Sequence, residues 1–251
     1  MFTSFFETPI SPMEKCPNSI CEQNKNLLFK DCPTCGSFWW YPNVENANQL
    51  EEREALESNY QHAVREADAG SSRDTLNKFE KAVSDSFVVV NMKDALLLQF
   101  LNNDTMDYKN HYLLVEEGII APYPLQEEGD RSTTESKLFP LYYKEIRYGA
   151  LSIDGYGLES YGNIAVKLKS DLIKNRTSFF VENSLAFMKR YKIQVFGSFP
   201  KGFLAIWENR CKLAVSKEFD PEKNSPEETD FAKLLLNSTN VKFKDRFVEA
   251  H

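Results

Sequence analysis

Four of the five cysteines of this 251-residue chain lie within twenty residues of one another near its amino terminus. They are Cys16, Cys21, Cys32 and Cys35, with four, ten and two residues between successive members. Thiolates are soft ligands, and four of them in a tetrahedron satisfy Zn²⁺ and leave no position open for a catalytic water. The spacing therefore predicts a structural zinc site. The alternative is two pairs of reduced cysteines without a metal.

The second pair of cysteines lies in the run Cys-Pro-Thr-Cys-Gly at residues 32–36. Proline presets a tight turn, and glycine lets the backbone fold back so that its N–H groups face the sulfurs. This part of the chain resembles a zinc ribbon, although the first pair has a wider gap than the usual two residues. Four aromatic residues follow at 38–41. They either pack over the site or stack on nucleic-acid bases.

A second group of residues that could bind a ligand or take part in a reaction lies in a glycine-rich segment at 147–162. Its glycines let a backbone approach a ligand closely, and Arg147, at the end of a predicted strand, has the fork geometry that clamps a phosphate or carboxylate. Tyr156 and Tyr161 each lie next to a glycine of this segment. The alternative is a glycine-rich turn with tyrosines that only pack.

Two further segments carry polar residues at the ends of predicted strands. In the segment 176–184, Ser178 lies on the strand, and Asn183 or Ser184 is placed to cap the helix that follows. At the other end of the chain, Glu249 and His251 are two residues apart and therefore share one face of a predicted strand.

Taken together, these three segments resemble the ADP-ribosyltransferase fold of bacterial and phage toxins. The resemblance implies that Arg147 binds the phosphates of NAD, that Ser178 orders the nicotinamide site, and that Glu249 is the catalytic carboxylate. It also implies that Tyr156 or Tyr161 stacks on nicotinamide. The family often has Gln or Glu two residues before the catalytic Glu, and in this chain that position is a phenylalanine.

The function implied by the resemblance is NAD-dependent ADP-ribosyl transfer by a toxin or defence effector, with NAD as substrate. The acceptor would be a macromolecule, either nucleic acid or protein, and an antitoxin or inhibitor protein would be a second partner. No metal takes part in this chemistry, so the zinc site would serve stability or target binding. The alternative function is a non-enzymatic interaction protein whose zinc ribbon binds a protein or nucleic acid.

The helices and strands predicted to position these residues indicate an α+β chain in three parts. Residues 1–45 are the zinc-ribbon module, 46–120 a mainly helical segment, and 121–251 a β-rich domain of two packed sheets with helices, similar to ADP-ribosyltransferases over 138–251. Polar residues at 126–136 predict an exposed loop. Strands are predicted at 87–92, 141–151, 163–169, 176–181, 203–207 and 241–250. Helices are predicted at 46–69, 71–85, 93–102, 108–115, 184–190, 209–217 and 229–236.

Composition narrows the class of protein further. Hydrophobic residues make up 42% and charged residues 27% of the chain, which excludes a disordered protein. A net charge of −7 argues against tight nucleic-acid binding by the molecule as a whole, because phosphate contacts need an excess of Lys and Arg. The sequence has neither a signal peptide nor a membrane span, so we expect a cytoplasmic protein. Cys211, in an apolar helical stripe without a histidine, is predicted to be a core thiol.

Overall fold

The computed structural model describes residues 21, 23, 32–35, 41–102, 108–193, 197–218 and 247–251. Within these ranges the chain forms nine α-helices and six β-strands. The helices are α1 Pro42–Ala47, α2 Leu50–Ala69, α3 Arg73–Ser84, α4 Asp94–Leu101, α5 His111–Glu116, α6 Leu125–Leu138, α7 Ser170–Ile173, α8 Ser184–Arg190 and α9 Arg210–Glu218. The strands are β1 Phe87–Met92, β2 Gly149–Ser152, β3 Ile164–Lys167, β4 Ser178–Phe180, β5 Leu204–Ile206 and β6 Glu249–Ala250.

All six strands belong to one antiparallel sheet with the order β3-β1-β2-β6-β4-β5. The described residues thus form a mixed helix and sheet structure, as predicted, but with one sheet where we expected two. The physical reason is the short strand β6. It pairs with β2 on one side and with β4 on the other, so it satisfies two strand edges that would otherwise end separate sheets.

Strand β6 is held by more bonds than its two residues suggest. Glu249 lies opposite Ala150 of β2 and opposite Phe180 of β4. Beyond the strand, the main-chain N–H of His251 donates to Ser178 O at 2.9 Å, and the N–H of Ser178 donates to His251 O at 3.1 Å. Because facing residues of an antiparallel pair point to the same side, Ser178 and His251 share a face of the sheet with Glu249.

Helices α2, α3 and α9 pack against one another and, through α2 and α9, against the sheet at β5. The side chains between them are buried, including Leu56 of α2, Leu76 and Phe79 of α3, and Leu213 of α9. The helical stripe predicted over 46–69 is confirmed as α2, which follows the short helix α1. Burial of apolar surface at about 25 cal/mol per Å² is the main source of stability for such a layer.

The segment at 126–136, predicted as an exposed loop, is part of helix α6 instead. Glu127 and Glu128 lie in its first turn and Lys137 in its last, an arrangement that suits the helix dipole. One side of the helix buries Thr134 and Leu138, and α6 packs on α8. Tertiary packing therefore stabilises a helix whose polar composition, with one glycine, suggested a loop.

The strand predicted at 141–151 is also wrong over most of its length. Leu141 has a φ of 73° and its side chain is fully exposed, and a 3-10 helix follows at Tyr143–Glu145. A residue with left-handed backbone does not continue a strand. Strand β2 therefore begins only at Gly149.

Strand β1 shows how the middle and last parts of the chain combine. It lies in the segment predicted as mainly helical, at the position predicted for a strand, and it pairs with β2 and β3. The sheet is thus built from both parts of the chain. Within the described residues no helix is both long and apolar enough to cross a bilayer.

Candidate functional site

A cavity of about 590 Å³ lies beside the centre of the sheet. Its walls come from strands β1, β2 and β6, from helices α5, α6 and α8, and from the glycine-rich segment after β2. Cavities that bind small molecules usually measure roughly 300–1,000 Å³ and carry a few polar groups in an apolar wall. The position and size of this cavity therefore make it the candidate functional site.

Glu249 lines the cavity and is only 4% exposed. Its Oε1 lies 2.8 Å from Nε2 of His251. Its Oε2 accepts hydrogen bonds from the side-chain amide of Asn183 at 3.2 Å and from the main-chain N–H of Ser184 at 3.4 Å. A buried carboxylate needs such donors to offset its lost hydration. Glu249 is thus held in one orientation by three groups from two parts of the chain.

The groups that hold Glu249 follow from local structure. Asn183 is the N-cap of α8, and its Oδ1 accepts a hydrogen bond from Ala186 N at 2.9 Å. This bond fixes which way the amide points, so its Nδ2 donates to Glu249. The capping role predicted for Asn183 is confirmed, and the same side chain also contacts the carboxylate.

The three segments singled out by sequence meet at this cavity. The glycine-rich segment contributes Tyr148, Leu158 and Tyr161, the second segment contributes Asn183 and Ser184, and the last contributes Phe247 and Glu249. Strand β6 makes the meeting possible, because it lies between β2 and β4, the strands of the other two segments. Residues almost a hundred positions apart in the chain thereby share one wall.

A single asparagine of β1 fixes the glycine-rich segment. The Asn91 amide donates to the main-chain oxygens of Tyr156, at 3.0 Å, and Gly162, at 3.1 Å, and accepts from the N–H of Leu158 at 2.6 Å. Gly157 lies against this amide with a φ of 67°, where a side chain would overlap Asn91 Oδ1. The glycine-rich segment is therefore clamped to the sheet.

The cavity carries more positive than negative side chains, although the chain as a whole has a net charge of −7. Among its described lining residues, four are basic and two are acidic. The basic ones are Lys93, Lys109, Arg131 and Lys189, and the acidic ones are Glu135 and Glu249. Three of these four basic side chains are ion-paired, Arg131 with Glu135, Lys109 with Glu117 and Lys189 with Asp130, so carboxylates already balance most of this positive charge.

Arg131 and Glu135 form an ion pair of 3.0 Å on one face of α6. Burial raises the pKa of Glu135, and the Arg131 guanidinium partly opposes that rise. Burial also raises the pKa of Tyr148 well above its usual value, and the Glu135 and Glu249 carboxylates add to the effect. Tyr148 therefore faces the two carboxylates as a neutral phenol.

The other residues predicted to bind NAD have different surroundings. Arg147 is not among the residues that line the cavity; its guanidinium donates to the main-chain oxygens of Glu145, at 2.6 Å, and Tyr108, and Tyr108 itself lines the cavity. Tyr161 lines the cavity, whereas Tyr156 does not and is 73% exposed. The structure thus places Glu249 and Tyr161 in the cavity wall and leaves Arg147 outside the lining, bonded to Tyr108.

Ser178 lies deeper than predicted. It is fully buried, and its hydroxyl is 3.2 Å from the Asn43 amide nitrogen and 3.4 Å from Nδ1 of His251. It does not appear among the cavity-lining residues. Its contact with Glu249 is therefore indirect, through His251.

Sequence reasoning missed Arg131 and Glu135 as cavity residues. The signal was present, because they are four residues apart, the spacing at which opposite charges pair on a helix. The loop predicted at 126–136 hides this signal, because the spacing has meaning only on a helix. No local sequence pattern indicates a role for Tyr108 or Asn91. Their roles depend on contacts with residues about 40 and 70 positions away in the chain.

Three of the four amino-terminal cysteines cluster as the zinc prediction requires. The sulfur atoms of Cys21, Cys32 and Cys35 all lie within 4.8 Å of one another, and those of Cys21 and Cys32 are 3.6 Å apart. Cys16 and the aromatic residues 38–40 lie outside the described residues. Cys211 packs partly buried on α9 against the core, and burial raises the pKa of its thiol, as expected for a core cysteine.

Comparison with protein-family models gives no match for this chain. Comparison with curated proteins gives none either.

Proposed function

We propose that the cavity is the active site of an NAD-dependent ADP-ribosyltransferase and that Glu249 is its catalytic carboxylate. The observation that supports this most directly is the position of Glu249, which lies on a central strand, lines the cavity and is held by His251, Asn183 and Ser184. A carboxylate fixed by three donors keeps its orientation during a reaction, which is what electrostatic catalysis needs.

The cavity suits NAD in size and in the types of side chain that line it. NAD carries two phosphates and two heteroaromatic rings, and a volume of about 590 Å³ lies in the range of small-molecule sites. Lysine and arginine side chains along the walls would bind the phosphates by exchanging their present carboxylate partners, and Tyr161 and Phe247 offer aromatic surface. Arg147 would act on this site by fixing the main chain at Tyr108 rather than by direct contact.

In the proposed reaction the bond between the ribose C1′ and the nicotinamide nitrogen breaks, and nicotinamide leaves with the electron pair. A nucleophile of the acceptor macromolecule attacks C1′ and loses its proton. Positive charge develops on the ribose in between. Glu249 would stabilise that charge, and the walls of the cavity would keep water from the ribose. The cavity also has to admit the acceptor's nucleophile on one side of the ribose.

The test is an assay with labelled NAD against total cell RNA, DNA and protein, together with calorimetry of NAD binding. Glu249→Gln keeps the size of the side chain but removes its negative charge, so we expect the rate to fall by about 10²–10³ with NAD binding retained. Glu208→Gln, at an exposed position outside the cavity, is the matched control and should leave the rate unchanged.

Two results would contradict the transferase proposal. One is the absence of NAD binding by the wild-type protein at millimolar concentration. The other is full activity in Glu249→Gln. Either result would favour the alternative, a non-enzymatic protein that binds its partners through the zinc module.

We also propose that Cys16, Cys21, Cys32 and Cys35 bind one structural zinc ion. In a tetrahedral site with Zn–S bonds of about 2.3 Å, neighbouring sulfurs are about 3.8 Å apart. The 3.6 Å between the sulfurs of Cys21 and Cys32 fits that geometry, and Cys35 lies in reach of the same ion. Cys16 would complete the set.

Elemental analysis of protein purified without added metal tests the zinc proposal. We expect one equivalent of zinc per chain, and we expect Cys32→Ser to lose it and to unfold the amino-terminal module, because metal binding and local folding are coupled. Cys211→Ser is the matched control and should retain the zinc. Less than half an equivalent in the wild type would refute the proposal.

A further inference from the structure

The side chain of His251 is buried behind the cavity wall rather than in the cavity. Its ring is packed edge-on between two aromatic rings, with centroid distances of 4.7 Å to Phe139 and 5.3 Å to Tyr148. Both ring nitrogens have a polar neighbour. Nε2 is 2.8 Å from Glu249 Oε1, and Nδ1 is 3.4 Å from Ser178 Oγ. The two aromatic rings thus fix the plane of the imidazole, and the polar neighbours fix the positions of its nitrogens.

The polar neighbours of His251 form a chain of hydrogen bonds with one consistent direction. The Asn43 amide nitrogen can only donate, and it has three acceptors in reach. They are the main-chain oxygens of Arg176, at 3.0 Å, and His251, at 3.1 Å, and Ser178 Oγ, at 3.2 Å. The Ser178 hydroxyl can accept from this amide and still donate its own proton. The carboxylate of Glu249 can only accept, so a neutral His251 must donate from Nε2 and leaves Nδ1 to accept from Ser178. With Nδ1 as acceptor, a neutral His251 carries its proton on Nε2 and donates it to Glu249.

We propose that His251 is a positioning residue for Glu249, held as the Nε2–H tautomer by a chain that runs from Asn43 of α1 through Ser178. This inference rests on the proposed catalytic role of Glu249. His251 supplies the donor to Oε1, while Asn183 and Ser184 supply the donors to Oε2. The carboxylate is thereby bonded at both oxygens by separate parts of the chain.

The same three residue types form the nucleophilic triad of many hydrolases, but the geometry here assigns a different role. Ser178 is fully buried, does not line the cavity and already accepts a hydrogen bond from Asn43. A nucleophile must reach the substrate, and this hydroxyl does not. In such a triad, moreover, the serine is hydrogen-bonded to the histidine nitrogen that faces the substrate. Here the group that lies at the cavity is the carboxylate of Glu249.

The tautomer can be measured without any substrate. In ¹⁵N-labelled protein we expect the His251 ring to show a pyrrole-type signal at Nε2 and a pyridine-type signal at Nδ1. Ser178→Ala removes the donor to Nδ1, so the Nδ1 signal should move toward that of an unbonded nitrogen. The remaining histidines are His62 and His111, and His251→Gln identifies the signals of interest. A proton on Nδ1 in the wild type would overturn the proposal.

Kinetics with NAD test the positioning role itself. Gln places an amide donor near the position of Nε2, so His251→Gln should keep the rate within a few-fold of the wild type. His251→Leu lacks the donor and should lower kcat by about tenfold to a hundredfold, the effect of losing one hydrogen bond to a charged group. Because His251 does not line the cavity, the KM for NAD should stay unchanged.

The outcomes separate the two proposals. If the wild type binds no NAD, the transferase proposal fails, while the ¹⁵N signals still decide the hydrogen bonding of His251. If NAD is turned over and His251→Leu keeps its full kcat, or if Gln fails to rescue the loss, the positioning role is refuted. Circular dichroism and melting curves of each variant identify any that does not fold.

Discussion

Replacing Gly157 with alanine should loosen the glycine-rich segment that forms one wall of the cavity. Gly157 has a φ of 67°, a left-handed conformation that an alanine adopts at a cost of about 1–2 kcal/mol. Its new Cβ would also overlap Asn91 Oδ1. The Asn91 side chain must then move, and its three hydrogen bonds to the segment weaken or break.

The expected magnitude follows from these two effects. Three hydrogen bonds at about 0.5–1.5 kcal/mol each contribute about 1.5–4.5 kcal/mol. With the backbone cost added, Gly157→Ala should lower the free energy of unfolding by about 2.5–6.5 kcal/mol, a large share of the roughly 5–15 kcal/mol of a typical domain. Affinity for a ligand in the cavity should also fall, because Leu158 and Tyr161 would lose their fixed positions.

Gly118 offers a matched control, since its φ of 70° is nearly the same and a Cβ there would meet no described atom within 4 Å. Gly118→Ala should therefore cost only the backbone term, about 1–2 kcal/mol. Urea unfolding of both variants, followed by circular dichroism, measures the difference. Equal destabilisation by the two substitutions would refute the idea that Asn91 clamps the segment.

Two further predictions concern the helical layer. Burial and a hydrogen bond from its hydroxyl to Glu80 raise the pKa of Tyr60 to about 12, so its contribution to stability should be present below about pH 10 and be lost as the pH rises toward 12. Unfolding measured across this range should therefore depend less steeply on pH in Tyr60→Phe, and an unchanged slope would contradict the assignment. Leu213→Ala removes a fully buried side chain of α9 and should cost about 2–5 kcal/mol in chemical denaturation. Leu141→Ala, at a fully exposed position, should cost less than about 0.5 kcal/mol, and similar losses for both would argue against the packing of α9.

The elements that sequence predicted well are those with a strong local pattern. Helix α2 has an apolar stripe with helical spacing, and β1 is a run of β-branched residues at the predicted position. The close spacing of Cys32 and Cys35 gives a tight turn that needs little outside help. In each case the residues that determine the element lie within about twenty positions of one another. The structure adds where the element lies in the fold and does not change the kind of element.

The errors occurred where tertiary contacts outweigh local preference. Helix α6 has a polar sequence with a glycine, and it forms because α8 and the cavity wall cover one side of it. The strand predicted over 141–151 is interrupted by the left-handed backbone of Leu141, which no periodicity in the sequence indicates.

By itself, the sequence determined the cysteine cluster, most of the helices and the three segments that matter for the candidate site, because residue type and short spacing carry that information. Only the tertiary structure decided which residues of those segments meet. Strand β6 has two residues and pairs with strands about 70 and 100 positions away, so no local sequence pattern predicts its position in the sheet. That place puts Glu249 at the cavity and Ser178 against His251, because a side chain's surroundings depend on which strands lie beside its own.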